Sequence, residues 1–223
     1  MVRLDNGLRL GYHYFVPKLL EDGRFPATII RDGETMEVKV PAGPNKPLVI
    51  KSLKGKYPEY FVYGPLVFVE AVKEYEEGVR GLIRSSSSAQ RAAAFSMMSA
   101  MSSNQSPLFT RKGDNPAFEG EQLIMVAVPL LPHKISKGYE GPYANVLDKI
   151  NGTKIKNLKH MVQVLRDSTE KQIKFEFKEK VANYLVFDRK EIEEAMEDIL
   201  IDNAIARQGS KALLREWNKD SDE

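Results

Sequence analysis

Apolar and polar positions change period several times along the chain, and each change marks an element. Residues 12–21, YHYFVPKLLE, have the density of a short helix, confined to one end by Pro17, which has no amide to continue the ladder. FPATIIRDGETMEVKVP then reads as a hairpin: Thr28, Ile29 and Ile30 favour strand, Asp32-Gly33 supplies the turn, and Met36, Val38 and Val40 alternate after it. The Pro/Gly-rich AGPNKP, residues 42–47, places a domain boundary, with 44–47 as its linker. PEYFVYGPLVFVEAV reads as a strand pair, or as one bent strand broken at Gly64-Pro65, and a charged helix follows over Val72 to Arg84.

The next stretch, SSSSAQRAAAFSMMSAMSSNQSPLF, has a centre with helical spacing (Ala92, Phe95, Met98, Met101) between serine-rich flanks that read as flexible. Residues 110–120 are polar and rich in Gly and Pro, as in a loop. EQLIMVAVPLL predicts a continuous apolar strand and GPYANVLDKI another, ended by the Asn151-Gly152 turn. A short amphipathic helix comes next, apolar at 158, 161, 162 and 165. KQIKFEFKEK alternates cleanly and puts Ile173, Phe175 and Phe177 on one face; NYLVF is a further strand. The last predicted helix starts at Asp188, with Glu191 three residues on, and carries Ile192, Met196, Ile199 and Leu200 as its stripe; NKDSDE reads as a solvated tail.

Composition narrows the chemistry. The 33 basic and 31 acidic residues leave a net charge of +2, too balanced to draw in nucleic acid or a membrane surface. The basic runs KNLK and LPHKISKGY also have no interleaved aromatic platform on which bases would stack. Zero cysteines exclude disulfides, zinc-thiolate sites and thiol nucleophiles. No apolar run reaches membrane-spanning length, and MVRLDNGLRLGYHYF, interrupted by Arg3, Asp5, Arg9 and His13, has no signal-peptide pattern. That start enters directly into patterned sequence, as though something upstream were missing. His13 and His133 have no acidic partners at ligand spacing, so no metal and no cofactor is expected. Asp148 and Glu140 fall in turns or strand ends where charge is solvated, and no catalytic residue is assigned.

DKINGTKIKNLKHMVQVLRD followed by KQIKFEFK resembles the second half of a PDZ domain. The wider order is more specific. YFVYGPLVFVEA, a helical insertion, EQLIMVAVPLLPHKISKGYEG and then this unit resemble the second PDZ domain of plant-like Deg/HtrA serine proteases, and residues 1–43 resemble the closing half of the preceding PDZ domain. The resemblance implies an α+β, β-rich chain: a PDZ-like, partly open β-barrel with flanking helices and a helical insertion. Its second PDZ-like domain spans 48–187, with a flexible Ser/Met-rich insert at about 85–120, and a C-terminal helical extension covers 188–223. The GNSGGP-type nucleophile loop of those proteases is absent, and the serines at 85–88 lie in low-complexity sequence with no glycine elbow. The implied function is non-catalytic: peptide or subunit binding that regulates or assembles a Deg/HtrA-type serine endopeptidase. The alternative is a stand-alone PDZ adaptor. The resemblance implies the cell envelope, periplasm or an organelle, although the sequence itself carries no signal and leaves the compartment open. It also implies protein segments or a second copy as partners, giving a homo-oligomer, with no nucleic acid and no membrane insertion.

PDZ domains bind an extended segment by adding it as a strand beside one of their own, with side-chain pockets for specificity. On that pattern Tyr63, Gly64 and Leu66 hold the carboxylate-loop position, Leu66, Val67 and Phe68 lead the strand, and Leu158, Val162 and Leu165 line the groove from one helix face, with Met161 deeper. The plain reading of that helix stripe is core. His160 lies beside the groove, and an incidental exposed histidine is its plainer reading. Met97, Met98 and Met101 offer an adaptable contact surface, or belong to a loosely helical insert. Pro65 departs from the pattern: it removes a loop N–H, at a cost to carboxylate capture of roughly 1.5–3 kcal/mol. An internal segment, such as one from a neighbouring subunit, is therefore the better expected ligand than a free C-terminus.

Overall fold

A computed structural model describes residues 2–3, 7–11, 18–41, 47–179 and 184–219. The chain divides into two compact units, 1–46 and 47–223. Residues 12–17 of the expected first helix, and most of the linker, lie outside the described residues.

In the first unit β1 (Val2–Arg3) pairs with β2 (Arg9–Leu10), and β3 (Arg24–Arg31) pairs antiparallel with β4 (Glu34–Pro41) from Arg24↔Pro41 to Arg31↔Glu34. Asp32 and Gly33 both take positive φ, 55° and 85°, the mirror-image turn whose twist suits a two-residue hairpin.

The second unit opens with β5 (Tyr60–Tyr63) and β6 (Leu66–Glu70), a hairpin closed by Gly64-Pro65, so the stretch is a strand pair. Helices α1 (Lys73–Ile83), α2 (Ser88–Ser103) and α3 (Pro107–Thr110) form the insertion. Then follow β7 (Ile124–Val126), β8 (Leu147–Ile150), β9 (Thr153–Lys154), α4 (Leu158–Arg166), β10 (Gln172–Phe177), β11 (Tyr184–Asp188), α5 (Arg189–Asp202) and α6 (Lys211–Trp217). The strands make two open sheets, ordered β5-β6-β7 and β11-β10-β8-β9, and neither closes into a barrel. A bridge from Met125 to Val146 brings β7 beside the residues that lead into β8. The chain is α+β, as the PDZ-like resemblance implies.

The main core gathers Phe61, Phe68 and Phe175 with Met161 of α4, and Phe68 stacks on Phe175 at 5.5 Å. Burying each such ring stabilises by roughly 1.5–3 kcal/mol. β10 places Ile173, Phe175 and Phe177 inward, as its alternation predicts. β7 is buried on both faces: Ile124 and Val126 enter the main core, while Leu123 and Met125 join a second cluster with Val49, Ile50, Ala71 and Val146. The insertion covers that second face through Met97, Met101 and Leu108, which explains the unbroken apolar run of the strand.

Three local expectations change. The strand predicted over 121–131 is only three residues long, because Pro129 has no amide for a ladder; the chain still follows β6, with the Ala127 and Leu131 amides donating to the Val67 and Pro65 carbonyls. The helical centre of the serine-rich stretch reaches into its flanks, as a continuous helix from Ser88 to Ser103. The buried face of α2 is Ala94, Met97 and Met101, whereas Phe95 is 61% exposed, since only the Ala94 side meets the sheet.

Candidate functional site: an edge strand, a helix and the segment between

Strand β6 has neighbours on both sides, so the free edge of its sheet is the outer side of β5. This differs from the expected geometry: Leu66, Val67 and Phe68 sit on a strand between β5 and the chain that runs on from β7. Leu66 and Phe68 are fully buried, and Val67 is half-buried. The hairpin register turns the amides and carbonyls of Tyr60 and Val62 outward, and these offer the pairing edge.

The Gly64-Pro65 turn at the carboxylate-loop position is a tight hairpin. Gly64 has φ 54°, and a Cβ there would lie 3.2 Å from Ile192 of α5, so glycine answers both the backbone and the packing. Tyr63 beside it is buried, and burial pushes its hydroxyl pKa up to about 12.

Opposite β5 stands α4. Asn157 caps it, its side-chain oxygen accepting from the His160 amide at 2.8 Å, while Gln122 accepts from the Leu158 amide at 3.0 Å. Leu158, Val162 and Leu165 share the inward face with Met161, and all four are at most 2% exposed. His160 is half-buried; its Nδ1 accepts from the Lys156 amide, and burial lowers its pKa.

The space between β5 and α4 is filled by the chain itself. Residues 208–210 run antiparallel to β5, with Gly209 opposite Phe61. The Val62 amide donates to the Gln208 carbonyl at 2.7 Å, and the Gln208 side-chain amide returns to the Val62 carbonyl at 3.1 Å. The Ser210 amide donates to the Tyr60 carbonyl at 3.0 Å, while its hydroxyl accepts from the Tyr60 amide at 2.9 Å. A Cβ on Gly209 would come within 2.8 Å of the Phe61 ring and 3.1 Å of the Tyr60 carbonyl, so only glycine lets the two backbones approach this closely.

Helix α6 continues from that segment and packs on α4. Leu213 joins the main core, and Trp217 lies 5.3 Å from Phe61 and 6.1 Å from Tyr63 between ring centroids. Glu216, 5% exposed, ties the two helices: it accepts from Gln163 at 2.7 Å and pairs with Lys219 at 2.9 Å and Lys159 at 3.4 Å. Arg166 of α4 also donates to the Glu216 carbonyl at 2.6 Å. Its hydrogen bonds with Lys219 and Gln163 hold the Glu216 carboxyl down at about 2.

Tyr63, Leu66, Phe68, Leu158, Val162 and Leu165 therefore come together in one region, as core around an occupied groove, while Gly64 turns away beneath α5. Sequence reading missed Gln208, Gly209, Ser210, Glu216 and Trp217. The signals present were a helix-starting Ser210, Leu213, Leu214 and Trp217 at helical spacing, and the single tryptophan of the chain. Among the described residues no cluster of His, Asp and Glu is placed to hold a metal ion, and no helix is long and apolar enough to cross a membrane.

Comparison with known proteins agrees with this architecture. A family model described as PDZ domain matches residues 49–212, a span that includes the segment paired with β5. The chloroplastic protease Do-like 2 of Arabidopsis thaliana is 26% identical over 215 residues, covering 94% of this chain and 31% of that protein. The mitochondrial Do-like 11 and Do-like 12 of the same plant are 21% and 22% identical, each over 79% of this chain and over 24% and 29% of their own lengths. The chain thus spans less than a third of these relatives. With its strand-and-helix groove and this match, the chain belongs to the PDZ domain family, whose role is protein binding.

Proposed function

We propose that this chain is the non-catalytic, protein-binding region that regulates or assembles a Deg/HtrA-type serine endopeptidase, and that it works through the edge of β5 facing α4. The observation that carries this reading is the antiparallel pairing of 208–210 with β5. An internal segment, with no terminal carboxylate, already binds there by strand addition, the mode by which such domains take their ligands. The closed Gly64-Pro65 turn under Ile192 supports the same preference for internal segments. A partner strand takes the place of 208–210, and the same segment from a second copy is the simplest occupant, which would build a homo-oligomer by exchange.

Trp217 is the only tryptophan, so its fluorescence reports whether α6 is docked. The test uses the full chain and its Gly209→Val variant with a fluorescein-labelled peptide spanning residues 205–219. The variant should show a red-shifted, solvent-exposed Trp217 and bind the peptide at micromolar concentration, while the parent binds far less. A variant with exposed Trp217 and protected β10 amides that still ignores the peptide would sink the groove reading. The regulatory part is read by adding parent or variant to a Deg/HtrA-type protease and following casein hydrolysis; identical rates with both would refute it.

A further inference from the structure

A cavity of about 500 Å³ lies where the insertion meets the residues that lead into β8. Leu82 of α1 and Met97 and Met101 of α2 provide apolar wall, and Asn104, Tyr143 and Asn145 provide polar groups. Glu179, just after β10, also lines it, although it is only 5% exposed.

The surroundings of Glu179 are half complete. Its Oε1 accepts from the Val146 amide at 2.9 Å and from the Ser106 hydroxyl at 3.1 Å, whereas its buried Oε2 has no hydrogen-bond partner among the described residues. A buried carboxylate oxygen without a donor keeps the cost of its lost hydration, and a structure keeps such a group only where something offsets it. Burial raises the pKa of this carboxyl, and the charge of neighbouring Lys178 acts in the opposite sense without an ion-pair contact. Glu179 thus places a half-satisfied carboxyl just behind a cavity wall that includes Met97 and Met101.

We infer that this cavity is a binding site for a basic side chain, a lysine or arginine presented by a polypeptide partner, with its aliphatic stem along Leu82, Met97 and Met101 and its cationic head at Glu179. The complementarity is chemical on both counts. An aliphatic stem suits the apolar wall, and a charged N–H donor is what Oε2 lacks. Because Oε2 is shielded from solvent, the donor reaches it when wall side chains yield, and methionine is the residue type most able to do so. Asn104 and Asn145 are placed to hydrogen-bond the backbone that carries the side chain. This site shares no residue with the β5–α4 groove and does not depend on the function proposed for it.

The test titrates the full chain, labelled at its methionine methyls, with Nα-acetyl-arginine methylamide and, separately, with the neutral isostere Nα-acetyl-citrulline methylamide. Saturable shifts of Met97 and Met101 with the arginine probe, at least tenfold weaker with citrulline, are expected, and Met161 in the main core should not move. Glu179→Gln, which keeps the Oε1 acceptor, should weaken the arginine probe at least tenfold. Equal response to both probes overturns the inference without any variant being made. Unchanged arginine binding by a folded Glu179→Gln chain, judged by an unshifted Met161 methyl, overturns it as well, as does n-butylguanidinium binding as tightly as the peptide-like probe, which would make the site one for small cations.

Discussion

Two stretches of this chain carry the same alternating pattern and come to different ends. The β3–β4 hairpin and strand β10 both alternate, and both form strands with the side chains on the expected faces. On β10 the apolar face is sealed: Ile173 and Phe175 are wholly buried beneath α4 and beside Phe68. On the hairpin no residue reaches full burial, and Ile30 is 77% exposed. Alternation is a property of the backbone period, whereas burial needs a second surface of matching size. The edges differ in the same way. β5, an edge strand in its own sheet, is covered by residues 208–210, while β3 and β4 form a sheet of two strands.

The contrast can be strained first where packing is greatest. Phe175→Ala should cost about 3–5 kcal/mol through lost contacts and a residual cavity, read as a lowered denaturation midpoint of the 47–223 unit with hydrogen exchange of β3–β4 unchanged. Parallel loss of protection in the hairpin would show that the two regions are not energetically separate. Gly209→Val comes next, at roughly 1–3 kcal/mol from overpacking against Phe61, and should free α6 before the β10 sheet unfolds. Asn157→Ala, which removes the α4 cap, should cost about 1 kcal/mol, and Asn157→Asp should recover most of it.

Acid sharpens the comparison of covered and uncovered edges. The Glu216 carboxyl lies below its ordinary 4.5, at about 2, so its contribution to docking α6 is complete above pH 4.5 and is lost as pH falls through about 2. Trp217 fluorescence should therefore report partial undocking between those values. A Glu216→Gln chain should show a flatter profile. Ile30→Ser stands last: an exposed position should change stability by less than about 0.5 kcal/mol in calorimetry. A larger loss would mean that this face of the hairpin is covered in solution.

Much of the local structure was legible because its causes are local. Asp32-Gly33 closes its hairpin because both residues accept positive φ, Asp188 caps α5 by accepting from the Lys190 and Glu191 amides, and Ile173, Phe175 and Phe177 face inward because a strand has period two. The helix stripe of α4 was equally plain, and so was its ambiguity, since an apolar stripe looks the same whether it lines an open groove or a filled one. The insertion was harder. Serines and alanines have too little hydrophobic contrast to announce α2, and the choice of Met97 over Phe95 for its inner face depended on where the β7 sheet stands.

The sequence by itself determined most of the strands, the stripes of α4 and α5, the Asp32-Gly33 and Asn151-Gly152 turns, the Asp188 cap and the resemblance of the central unit to a PDZ domain, because each local feature rests on residues within a turn or two of one another. Only the tertiary structure decided what the groove contains. Gln208-Gly209-Ser210 has no strand period and reads as a loop; it pairs with β5 through a single bridge because the outward amides and carbonyls of Tyr60 and Val62, nearly 150 residues earlier, present an unfilled edge. The same holds for Glu179, whose two oxygens differ only because Val146 and Ser106 reach one and nothing described reaches the other. Pairings across such a distance leave no periodic trace in either partner, since what selects them is the geometry of a surface that exists only once the rest has folded.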